Sequence, residues 1–251
     1  MAILIQFILR LSFGMAAAMT LVPPRDVTSG YYRNNLYVLL GLNSLAALAL
    51  GTAEHSLAAA SSAIAAAILS YFGAVAWLYE RPTLGLGFLG AIAVTDLAAA
   101  WGATSATSAS SATWLLAGLD PASGGLVLGT TMAAMLLGHW YLNAPGMPLA
   151  PLVRLIGLLG VAVILRVIVC GAGLGLEIDA AGRPDVTETI FLGMRWIGGL
   201  VGTAILAVMA WQTLKIPNTQ SATGILYVAV ITTFLGELAS GLLSAQATYP
   251  L

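Results

Sequence analysis

Charge is what this chain has least of: only 8% of its 251 residues are Asp, Glu, Lys or Arg. Soluble domains carry about 25%, and nine basic plus ten acidic residues cannot clothe a water-facing surface of this size. The soluble enzyme classes fall away on that ground. A formal net charge of -1 argues against nucleic-acid binding, which needs a concentrated basic face. A single cysteine, Cys170, leaves no internal disulfide and no paired-cysteine metal or redox site. The only lysine, Lys215, falls at a predicted helix end, whereas a retinal Schiff base needs one in mid-span. Lipidation signals, HExxH, GxSxG and the P-loop are all missing. Gly85, Gly87 and Gly90 spell GxGxxG, but in an apolar stretch with no strand before it, so they read as helix contacts. Gly198 and Gly202 read the same way.

What is present is apolar: 59% hydrophobic residues and a mean hydropathy of +0.95. Crossing about 30 Å of hydrocarbon takes roughly 20 apolar helical residues. Eight such stretches can be marked, at 2–22, 36–52, 57–78, 83–103, 124–142, 149–175, 190–214 and 222–245. Pro23-Pro24, Arg81-Pro82, the run from Pro145 to Pro151 and Ile216-Pro217-Asn218 punctuate them. Ser221 is the expected N-cap of the last span. The first 22 residues have no basic leader and hold Arg10 inside the stretch. Despite Ala16-Ala17-Ala18 they read as a retained first span. Residues 104–123 read as an outer Ser/Thr/Ala loop with a surface-lying piece at Trp114-Leu115-Leu116, and 176–189 as an acidic outer loop.

Alternate loops then orient the chain. Arg25, Arg33, Arg81, Arg154 and Lys215 fall on one side, Arg183 alone on the other. The positive-inside rule puts both termini outward. The reading is an all-α integral membrane protein of a bacterial inner membrane, a single polytopic domain over residues 1–251 with about eight transmembrane helices and both termini periplasmic.

Ionisable residues inside spans are costly and mark function by default. Here they are Arg10, Asp96, Arg166, Arg195 and Glu237. At 1.5 Å per residue all five lie roughly 8 to 13 Å from the outward ends of their spans, in one leaflet half. Asp96 and Glu237 are expected to pair with two of the arginines, which leaves one positive charge over. Glu54, at the outer end of the second span, is the candidate to balance it. Without it the site wants an anion, for which Arg is suited. The competing account is structural: interhelical ion pairs, and arginines reaching to headgroups, which Arg195 beside Trp196 fits best.

A second chemistry centres on histidine. His55 and His139 fall at opposite ends of their spans, so a bis-His haem is excluded, while a His/Met or single-His haem remains. Met132, Met135 and His139 share a helical face that would suit copper(I), although methionine more often fills packing gaps, and no metal site is assigned. His139 and Asn143 stand one turn apart beside Tyr141, a set able to hold a quinone headgroup unless it is only an aromatic belt.

Two functions stay open. The first is binding or transport of a small anionic ligand in an outward-facing intramembrane charged pocket of Arg10, Asp96, Arg166, Arg195 and Glu237, with a carboxylate gating charge or carrying a proton. The second is a quinone- or haem-binding membrane subunit of a redox assembly, with His139, Asn143, Tyr141 and His55 at the cofactor. Haem or quinone enters only on this second account, and otherwise the cofactor is unknown. An intramembrane enzyme comes third, because no nucleophile–base pair is visible. The expected partners are the lipid bilayer and another membrane protein or a second copy of the chain, with no nucleic acid.

Overall fold

The computed structural model describes residues 1–52, 57–103, 111–144, 146–182, 184–216 and 218–251. Among them it is all-helical, with eight helices long and apolar enough to cross a membrane. They are α1 (Ala2–Thr20), α2 (Ser29–Thr52), α3 (Leu57–Leu78), α4 (Pro82–Gly102), α5 (Ser111–Asn143), α6 (Ala150–Ala181), a composite seventh and α9 (Thr219–Ser244). The seventh joins α7 (Val186–Gly193), a π-helical segment (Met194–Val201) and α8 (Gly202–Leu214).

Local chemistry sets the ends. Pro82 sits in the first turn of α4, where its missing N–H is not needed. Asp185 and Glu188 form a reciprocal capping box at the start of α7. The last helix is capped by Asn218 rather than Ser221: the Asn218 side chain accepts from the Ser221 backbone N–H at 2.9 Å.

Three boundaries differ from the expectation. Residues 104–123 are not a loop throughout, since α5 is already helical at Ser111 and carries Trp114 and Pro121; residues 104–110 lie outside the described ones. Pro121 and the polar run before it lower the apolar signal without ending the helix. Helix α2 begins at Ser29, seven residues before the apolar run. Tyr31 and Tyr32 are buried there because their hydroxyls donate to the carbonyls of Ala133 and Val22 at 3.2 and 2.9 Å. In the acidic stretch 176–189, Glu177 and Asp179 belong to α6 and Glu188 to α7, so only residues 182–185 link the helices.

Helices α1 and α5 form the centre. Of their span windows, 61% and 78% are buried inside the bundle, against 28% to 44% for the others. They meet almost backbone to backbone: a Cβ on Gly129 would fall 1.8 Å from the Gly14 carbonyl carbon. With Gly14, Gly125 and Gly129 form a small-residue seam between these two helices. Of the expected contact glycines, Gly85 packs tightly on Trp77 of α3, where a Cβ would fall 2.4 Å from Nε1, and Gly202 lies near Thr232. Gly87, Gly90 and Gly198 face nothing within 4 Å, and the tightest glycine of the seventh span is Gly199, packed on Gly236.

Outward faces are apolar, with Leu48, Val94, Ile164, Ile168 and Ile197 all exposed, while the arginines and acids of the spans turn inward. Such a distribution suits a hydrocarbon solvent and not water.

Candidate functional site

Four of the five expected charges meet, together with a fifth residue that the sequence reading passed over. Asp120, in the N-terminal part of α5, lies between Arg10 and Arg166. Its Oδ2 takes Arg10 Nη2 at 2.5 Å and its Oδ1 takes Arg166 Nη1 at 2.6 Å. Arg166 grips Glu237 with both edges of its fork, Nε to Oε1 at 3.1 Å and Nη2 to Oε2 at 2.8 Å. Arg195 Nη1 completes the row on Glu237 Oε1 at 2.8 Å. The result is an alternating chain of Arg10, Asp120, Arg166, Glu237 and Arg195, drawn from α1, α5, α6, α9 and the π segment.

Small residues make room for it. A Cβ on Gly124 would lie 2.8 Å from Glu237 Oε2 and 3.1 Å from Arg166 Cζ, so α5 leaves that space to the ion pair. Gly199 and Gly236 bring the π segment and α9 together; a Cβ on either would meet the other's Cα at 2.6 or 2.5 Å. Glu237 follows Gly236 directly and Arg195 precedes Gly199 by one turn, so the close crossing delivers the two side chains to each other. π-Helical turns inside α-helices are frequent at functional sites.

The donors are unequally satisfied. Arg166 is wholly buried, and its Nη1 also reaches the Asp120 carbonyl and the Ser123 hydroxyl, both at 3.1 Å, while Nη2 reaches Ser240 at 3.2 Å. Arg195, 1% exposed, gives its Nη2 to Cys170 Sγ at 3.1 Å, and its Nε has no partner among the described residues. Among the described side chains, three guanidiniums of this network share two carboxylates, and Glu54, expected to balance the third, lies outside the described residues.

Residues 245–251 fold back over this end of the network. The Thr248 and Tyr249 N–H groups donate to Glu177 Oε2, each at 2.9 Å, and the Leu251 N–H to Ser244 Oγ at 3.0 Å. Pro250 crosses α6 at Gly173, where a Cβ would strike its carbonyl oxygen at 1.9 Å. A main-chain oxygen of Leu251 accepts from the Ser240 hydroxyl, the same serine that Arg166 touches. Above the strap lies a cavity of about 570 Å³ between α6, α7 and α9, with Leu251 and Leu243 in its lining. Its carboxylates are occupied: Glu177 holds the strap, and Asp185 and Glu188 cap α7.

Asp96 is not in the network. The expected pairing of Asp96 with an arginine is replaced by that of Asp120, and Asp96 instead contacts Asn43 and Ser12. The signal for Asp120 was present in the small residues Ser123 and Gly124, which follow it at helical spacing and leave space for a neighbour's long side chain. Asp120-Pro121 reads as a turn, and that hid it.

Of the second set, His139 and Asn143 are both exposed, and His139 Nδ1 pairs with the Tyr227 hydroxyl at 3.2 Å. Tyr141 points away from them, buried, with its hydroxyl on the Pro148 carbonyl at 2.5 Å. Met135 is part of the apolar core and Met132 packs against it. His55 and Glu54 lie outside the described residues. Comparison of the chain with protein-family models, with curated proteins and with solved structures finds no match.

Proposed function

We propose that this chain is a multi-pass inner-membrane protein that binds a small anionic ligand for recognition or transport, with Arg195 as the primary contact. The observation that carries this is the excess of one guanidinium among the described side chains of the network. Three arginines and two acids share one buried network, and the unfilled donor is Arg195 Nε. A buried positive charge without a counter-ion is expensive, and an anion both neutralises it and fills the donor. Access is from the end covered by residues 245–251, which reach Ser240 and so stand one hydrogen bond from Arg166. The same end faces the periplasm under the positive-inside assignment.

The test uses the purified full chain in detergent, unfolded by heat in acetate, succinate, phosphate or sulfate. At least one of these is expected to raise the melting temperature saturably. Arg195→Gln should weaken that response roughly 10- to 100-fold, the worth of a charge-assisted hydrogen bond. Cys170→Ser should leave it unchanged. The reading fails if no anion stabilises the wild type or if Arg195→Gln responds like it. It also fails if Cys170→Ser responds to anions more strongly than the wild type, for then the sulfur, as thiolate, already supplies the balancing charge.

A further inference from the structure

Asp96 presents a different problem from the arginine network. It is completely buried on α4, facing Asn43 of α2 and Ser12 of α1. Asn43 Nδ2 donates to Ser12 Oγ at 2.9 Å and, more weakly, to Asp96 Oδ2 at 3.4 Å. The Ser12 hydroxyl is within hydrogen-bonding reach of the same carboxyl. Two buried atoms are left over, Asp96 Oδ1 and Asn43 Oδ1, and neither has a partner among the described residues. Both are acceptors. What the pocket lacks is therefore a donor or a positive charge, the opposite of what the arginine network lacks.

Among the described residues no cation supplies it from the surrounding helices. On α1 the charged side chain is Arg10, engaged with Asp120 and Gln6. On α5 the acid is Asp120, held by Arg10 and Arg166. The titratable groups of α2 fall within residues 31–37, more than one turn before Asn43, and α3 offers only Tyr71, which is exposed. One turn beyond each pocket member the walls are apolar: Leu9 on α1, Ala46 on α2, Ala99 and Ala100 on α4. An ionised carboxylate in such a place is avoided by taking up a proton.

We infer that Asp96 binds an exchangeable proton at Oδ1, and that Ser12, Asn43 and Asp96 form a proton site separate from the arginine network. The loading step is a plain association: a proton from water joins the carboxylate to give a neutral acid, whose O–H then offers the pocket its missing donor, and unloading returns the proton to water. The inference does not rest on the anion reading, because none of its three residues belongs to that network.

Infrared difference spectroscopy on the full chain in lipid tests it, comparing H₂O with D₂O. A protonated-carboxyl C=O band should be present, move to lower wavenumber on deuteration and vanish in Asp96→Asn. In Ser12→Ala and Asn43→Ala, which keep the acid, the band should persist at a shifted position. A protonated-carboxyl band that survives Asp96→Asn unchanged, or no such band in the wild type, overturns the proposal. Thermal stabilisation by sodium chloride over choline chloride that is lost in Asp96→Asn also overturns it, because the missing cation would then be sodium.

Discussion

Arg166 spends every N–H of its guanidinium on protein: both carboxylates, a backbone carbonyl, and the hydroxyls of Ser123 and Ser240. Removing it takes one of two arginines from each buried acid, leaving Asp120 to Arg10 alone and Glu237 to Arg195 alone. Breaking a buried pair in this way costs about 3–5 kcal/mol, so Arg166→Ala should lower the thermal unfolding midpoint steeply and abolish the anion response as well. If neither changes, the buried network is not what holds α5, α6 and α9 together. The same residue scale shows what the sequence could and could not convey. Arg10, Arg166, Arg195 and Glu237 stand out because hydrocarbon tolerates ionised side chains so poorly, and all four meet. Asp96 stands out for the same reason but answers to polar neighbours. Depth along a helix can be read from spacing, whereas azimuth around the bundle cannot, and azimuth separates Asp96 from the arginines.

At the scale of elements, α5 decides the architecture. Its seam on α1 works because neither backbone carries a side chain at the crossing, with Gly14 on one side and Gly125 and Gly129 on the other. Even one methyl at Gly129 would overlap the Gly14 backbone, so Gly129→Ala should destabilise the protein by at least about 1–3 kcal/mol. It should also loosen the contact between Arg10 and Asp120. Thermal unfolding together with disulfide trapping between cysteines placed across α1 and α5 would check this: an unchanged midpoint and unchanged trapping would contradict the seam. The cores of all eight long helices were legible as apolar runs because hydrocarbon thickness imposes their length. Their ends were legible where a proline or a cap marks them, as at Pro82. The start of α5 was not, since Pro121 and the Ser/Thr/Ala run imitate a loop, although a helix in a bundle can pack small polar residues inward. The start of α2 was hidden by Tyr31, Tyr32 and Arg33, polar by composition yet with both tyrosine hydroxyls satisfied within the fold. The π segment leaves no mark on hydropathy at all, and it moves the contact glycine from Gly198 to Gly199.

On the scale of the whole molecule the charge distribution is the reverse of a soluble protein's, with apolar side chains outside and ionised ones within. The interior charges fall into two groups of opposite need: a network with one guanidinium donor unfilled, and a carboxyl pocket with two acceptors unfilled. On the two proposals an anion would satisfy the first and a proton the second. The strap of residues 245–251 covers the first of them through Leu251 and Ser240. The most direct measurement of the central claim is the position of an anion in diffraction data collected from crystals soaked in bromide, located by its anomalous scattering. The account predicts a peak in hydrogen-bond contact with Arg195 Nε. An anomalous map with no bromide at that nitrogen, beside an Arg195 Nε that hydrogen-bonds another group of the protein, would contradict it.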